Sequence, residues 1–208
     1  RRINRDFAVR SLPTNWALSL PDLTLENLPL PALRGEYQLR NAAAVLVAVR
    51  ELADRLPVSA DAIRLGVRQA RLHGRFEIAS ERPRVILDVA HNPQAMAGLA
   101  RNLEAMPCAG KTLAVVGMLA DKDIAGALAT LAGKIDVWLI VGLDVPRGAP
   151  ASTLVQAVVG LGGRVETFAA PDQAFAHAVG LAGENDRIAA FGSFYTVAAV
   201  MRALANRA

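Results

Sequence analysis

Asp88, His91 and Ser193 are the residues whose types and positions first suggest chemistry. Asp88 closes the apolar run Val85-Ile86-Leu87 and opens the stretch Asp88-Val89-Ala90-His91-Asn92-Pro93. A carboxylate at a strand tip can accept both hydrogen bonds of a ribose diol, a known use of acids at the edge of nucleotide-binding sheets. His91 is not needed for helix capping and would face the crevice beyond the strand, where an imidazole can bind a carboxylate or a phosphate. A lone histidine is more often simply packed or exposed. Asn92 and Pro93 suit the N-cap and first position of a helix and read as structural. Ser193 follows Gly192 at a strand-to-helix turn, where backbone amides and a hydroxyl can hold a carboxylate; helix capping explains the serine too.

Arg75, after Gly74, offers a guanidinium fork that could reach a phosphate across a domain junction, against the reading of an ordinary surface arginine. Asn41 stands near the start of a helix, where ligand contact and satisfaction of local backbone donors are both open. Asp121-Lys122-Asp123 most simply places negative charge at the positive end of the next helix. Gly110-Lys111-Thr112 looks like the end of a phosphate-binding loop, but residue 105 is alanine where that loop needs glycine, and a strand follows where a helix should. There is no G-x-G-x-x-G, H-E-x-x-H or G-x-S-x-G. Three scattered histidines (His73, His91, His177) and one cysteine do not make a zinc site.

The elements that must position these residues fall into two parts. Pro13, Pro21, Pro29 and Pro31 mark the opening as irregular edge strands and loops. Apolar Ala42, Leu46, Val49 and Leu52 recur at helical spacing over 38–56, Pro57 stops that helix, and Ser59 caps a second one bearing Ile63, Val67 and Ala70. From Gly74 onward, strand candidates at 85–87, 112–116, 137–141, 165–168 and 188–191 alternate with helical segments at 93–106, 124–135, 152–161, 173–181 and 196–204. That alternation predicts an α/β fold, a doubly wound and mostly parallel Rossmann-like sheet covered on both faces. Ligands of such sheets sit at the carboxyl ends of the strands, so the stretches after 87, 116 and 191 are the ones to examine.

Composition sets the outer bounds. With 53% apolar and 20% charged residues the chain can bury a real core, and general disorder is excluded. Apolar runs stay short of the roughly 18 residues a membrane span needs. One cysteine, Cys108, permits no internal disulfide, so a soluble, cytoplasmic protein is expected. The net charge of +4 arises from 23 basic and 19 acidic residues without any basic block, which disfavours nucleic acid and leaves room for a small phosphorylated ligand. The opening residues read as the interior of a longer chain.

In order along the chain stand Q-L-R-N-A-A (38–43), H-G-R-F (73–76), L-D-V-A-H-N-P (87–93), G-M-L-A-D-K-D (117–123) and F-G-S-F-Y-T-V (191–197), with P-R-G-A at 146–149. This series resembles the folylpolyglutamate synthase family, including its bifunctional dihydrofolate synthase type, within the Mur ligase superfamily. The resemblance implies the carboxy-terminal half of an ATP-dependent ligase: residues 1–74 as the end of the central ATP-binding domain, and 75–208 as the carboxy-terminal Rossmann-like domain. It implies Asn41 near adenine, Arg75 near the phosphates, Asp88 on the ribose, and His91 and Ser193 toward the incoming glutamate. The implied reaction joins L-glutamate to dihydropteroate or folates through an acyl phosphate, with ATP and Mg²⁺. The P-loop, the metal ligands and the main catalytic groups are expected in an amino-terminal portion of the same protein, so no metal ligand is assigned here and the 208 residues alone are expected to be inactive. Two other readings are another amino-acid ligase of the superfamily and a non-catalytic nucleotide-binding module.

Overall fold

The computed structural model describes residues 1–207, Glu36 in its backbone alone. It divides into two compact units, 1–72 and 73–208, just ahead of the sequence boundary after residue 74.

In the first unit, β1 (Ala8–Ser11), β2 (Asn15–Ser19) and β3 (Thr24–Pro29) form an antiparallel sheet in that order. The proline-rich opening is thus more regular than expected, because Pro29 falls only at the last residue of β3, where little of the ladder is lost. Two helices follow, α1 (Glu36–Glu51) and α2 (Ala60–Gln69). Ser59 caps α2 by accepting a hydrogen bond from the Ala62 amide at 3.2 Å, as its position predicts. Trp16, fully buried, packs with Leu18, Leu28, Leu46 and Val67 and donates its indole N–H to Pro29 O at 2.8 Å. That bond satisfies the indole's own polar atom.

The second unit runs β4 (Glu77–Glu81), β5 (Arg84–Asp88), α3 (Pro93–Ala105), β6 (Thr112–Val116), α4 (Ile124–Ala129), β7 (Val137–Val141), α5 (Ala151–Val158), β8 (Arg164–Phe168), α6 (Pro171–Leu181), β9 (Arg187–Phe191) and α7 (Phe194–Ala205). All five expected strands are present and pair in parallel in the order β5-β9-β6-β7-β8. The sixth, β4, is antiparallel to β5 at the edge. Its Glu77, Ser80 and Glu81 are the polar residues that edge strands favour, which hid it from an apolar-run reading.

Alternation along each strand explains the double cover. Ile86, Ala114, Val116, Trp138 and Ile140 pack under α3, α4 and α5, whereas Val85, Leu87, Leu113, Val115, Leu139 and Ile188 pack under α6 and α7. Successive side chains point to opposite faces, so a run that is apolar throughout must be buried on both. The doubly wound, mostly parallel sheet is therefore the fold that the sequence predicts.

Candidate functional site

The order β5-β9-β6 brings the three polar stretches side by side at one edge of the sheet. Gly192 knits them together. Its amide donates to Ala90 O at 3.0 Å, and a Cβ there would stand 2.7 Å from Gly117 O. With φ at 103°, a side chain would also be strained, so glycine is required on both counts.

Asp88 is half-buried at the tip of β5. Its Oδ1 accepts the Ala90 amide at 2.8 Å and its Oδ2 accepts the Phe76 amide at 3.0 Å. Burial pushes its pKa up to about 6. The two amides and the nearby Arg75 charge pull the other way without cancelling the cost of burial. Each oxygen keeps lone-pair capacity for a further donor, as a diol contact needs.

Arg75 and Asp88 lie together, because the residue between Arg75 and β4 is Phe76, whose amide holds the carboxylate. Phe76 is buried at φ 46°, a left-handed conformation that costs a bulky residue of order 1–3 kcal/mol. The segment before it is fixed too: Glu77 accepts the Gly74 amide at 2.9 Å and faces His73 Nδ1 at 2.9 Å, while Val89 donates to Gly74 O at 2.9 Å. The guanidinium carbon of Arg75 lies 5.9 Å from the centroid of the exposed Phe194 ring, at cation–π range. Phe76 and Phe194 stand within the motifs read from the sequence, but their roles needed the fold.

His91 Nδ1 is 2.8 Å from Val89 O, so that nitrogen carries hydrogen and Nε2 remains for a ligand. Asn92 accepts the Ala95 amide at 2.8 Å and Pro93 is the first residue of α3, the structural duty expected of both. Ser193 is buried. Its Oγ accepts the Thr196 amide at 3.0 Å and sits 2.8 Å from Thr196 Oγ1, whose own hydrogen goes to Gly117 O at 2.9 Å. Ser193 must therefore donate its hydroxyl hydrogen to Thr196, and both bonds stay inside the protein. What this edge presents from α7 is the pair of first-turn amides that have no intrahelical acceptor.

Asp123 caps α4 through the Gly126 amide at 3.0 Å, whereas Asp121 pairs with Lys122 at 2.9 Å and Arg147 at 3.5 Å. Asn41 lies in the first unit, inside α1, where Nδ2 donates to Gln38 Oε1 at 3.1 Å. It borders an apolar groove of about 290 Å³ between α1 and α2. Among the described residues no three of His, Cys, Asp and Glu are grouped to hold a metal ion, and no helix is long and apolar enough to cross a membrane.

A model of the Mur ligase glutamate ligase domain matches residues 74–194, more than half of the chain. The chain belongs to the Mur ligase family. It is 46% identical over 193 residues to the dihydrofolate synthase/folylpolyglutamate synthase of Escherichia coli K12, covering 93% of this chain and 43% of that protein. Its fold matches the structure of E. coli FolC in complex with DHPP and ADP at a TM-score of 0.89 and 43% identity, over 99% of this chain and 47% of the other. A bifunctional folylpolyglutamate synthase/dihydrofolate synthase with Mn, AMPPNP and L-glutamate bound gives 0.87 and 39%, with 99% and 47% covered. This Mur ligase chain thus spans somewhat under half the length of the relatives it matches.

Proposed function

We propose that the chain is the carboxy-terminal part of an ATP-dependent ligase that joins L-glutamate to dihydropteroate or folates. One observation carries the reading: Asp88, pinned by two amides beside Arg75, stands where the ends of β5, β9 and β6 meet in a chain 43% identical to a FolC solved with DHPP and ADP. In this reading residues 1–74 end the central ATP-binding domain and 75–208 form the ligase domain. The remaining partner is an amino-terminal P-loop portion of the same cytoplasmic protein.

ATP supplies the phosphoryl group that activates the substrate carboxylate, and Mg²⁺ offsets phosphate charge. In this reading the residues that would hold Mg²⁺ lie in the amino-terminal portion. Asp88 accepts the ribose hydroxyls, and Asn41 contacts adenine. Arg75, held over Phe194, places fixed positive charge by the phosphates, where negative charge spreads in the transition state. His91 Nε2 and the amides exposed by the Ser193 cap receive the carboxylates of glutamate. Binding and orientation are the contribution of this half.

The test is ATP-dependent glutamate incorporation by the full-length enzyme. Asp88→Ala should act mainly on KM for ATP, and Arg75→Ala should lower kcat by about 100-fold, the usual cost of one preorganised donor. Wild-type values for both would refute the assigned roles.

A further inference from the structure

At the edge of the sheet opposite Asp88, the first residue of β9 is a buried cation. Arg187 is 8% exposed. Its Nε donates to Thr112 Oγ1 at 2.8 Å, and Nη1 donates to Leu103 O at 2.7 Å and Met106 O at 2.9 Å. These acceptors are neutral oxygens, two of them main-chain carbonyls at the end of α3. No carboxylate lies within ion-pair distance of Arg187 among the described residues; Asp136 acts on it only from farther away. Burial is the largest influence on its pKa and lowers it, and the positive charge of Arg84 adds to that.

Nη2 makes no hydrogen bond among the described residues, and it is not among the sealed, unpartnered atoms either. Arg187 lines a cavity of about 310 Å³ together with Glu104, Cys108, Thr112, Gly133 and Lys134. That volume is at the lower end of small-molecule sites. Lys134 supplies a second positive group on the wall and pairs with Glu104, which is more exposed. The guanidinium keeps the two hydrogens of Nη2 unassigned in a residue that lines the cavity, and the Lys134 ammonium stands on the same wall beside Glu104, a donor set suited to a phosphate.

We propose that this cavity binds a phosphate group, free or as a small phosphomonoester, held by Arg187 Nη2 and Lys134. The site is independent of the nucleotide reading, since it uses the opposite ends of the strands and none of the residues named there. Glu104 competes with the ligand for Lys134 and so tunes its affinity.

Cys108 lines the same cavity and is the only cysteine in the chain, which makes it a built-in reporter. The experiment follows alkylation of Cys108 by iodoacetamide in the full chain as inorganic phosphate is titrated, with ionic strength held constant by KCl. Saturable protection is expected, weakened at least fivefold in apparent Kd by Lys134→Ala and strengthened by Glu104→Gln. Glycerol 3-phosphate as a second titrant separates the sources: protection equal to or better than that of phosphate assigns the site to an ester, and none assigns it to the free ion. Absence of saturation with inorganic phosphate, or a Lys134→Ala variant indistinguishable from wild type, overturns the proposal. Both substitutions are at the rim, so the test does not depend on folding without Arg187.

Discussion

Two charges, one half-buried and one buried, stand at opposite edges of one sheet, on neighbouring parallel strands: Asp88 ends β5 and Arg187 begins β9. Neither has an opposite charge within ion-pair distance among the described residues, and they meet that difficulty differently. Asp88 can titrate, and burial has brought its pKa to about 6, so it rests on two amides and stays ready to change charge near neutrality. Arg187 cannot give up its proton in practice, so the fold surrounds it with three oxygen acceptors. The carboxylate is held by two amides and keeps lone pairs to spare. The arginine is a structural tie that also leaves donors over.

Replacing each charge should expose that contrast most clearly. Arg187→Met would strand Thr112 Oγ1 and the carbonyls of Leu103 and Met106, at a cost of about 3 kcal/mol in urea unfolding at pH 7. Asp88→Asn removes a charge but turns the acceptor of one of the two amides into a donor, so it should cost less than Arg187→Met without being neutral. A loss below about 1 kcal/mol for Arg187→Met would mean that water already satisfies those oxygens, and the comparison would fail.

The second measurement uses pH. The folded pKa of Asp88, about 6, lies above the ordinary 3.8, so the folded state favours its protonated form. Its contribution to stability is therefore full below about pH 3.8 and is lost as pH rises through about 6. Between pH 7.5 and pH 4.5 the wild type should gain about 2 kcal/mol on Asp88→Asn, from paired denaturant curves. A gap that does not change with pH would show the two amides fully paying for ionisation. Arg187 itself should contribute no such window, because its guanidinium stays charged across it.

The contrast between the two edges also marks what the sequence disclosed. Asp88 was legible because it ends an apolar strand, and position alone makes a strand-tip carboxylate interesting. Ser193, His91 and Asn92 were legible as residues, and Asn92 in its capping duty, because those preferences are local. The strands were legible since apolar runs cut by glycine and polar turns have few alternatives. Arg187 was not. It sits one residue before the apolar run 188–191, and only the pairing of β9 between β5 and β6 carries it under the end of α3. β4 stayed hidden because its residues are polar, and the left-handed Phe76 because no residue type announces it.

Ser193 gives the smallest effect, and it tests whether polar groups at the Asp88 edge face ligand or protein. Its hydroxyl accepts the Thr196 amide and donates to Thr196 Oγ1, so Ser193→Ala should cost about 1 kcal/mol of stability, the usual value of a lost N-cap. If the backbone amides of α7 receive the glutamate carboxylate, KM for glutamate in the full-length ligase should change less than threefold. A large rise in KM with unchanged stability would show the hydroxyl turning outward to the substrate. Ser193 would then join Asp88 among the groups proposed to face ligand, and the division between exposed donors and internal ties would have to be drawn elsewhere on this edge.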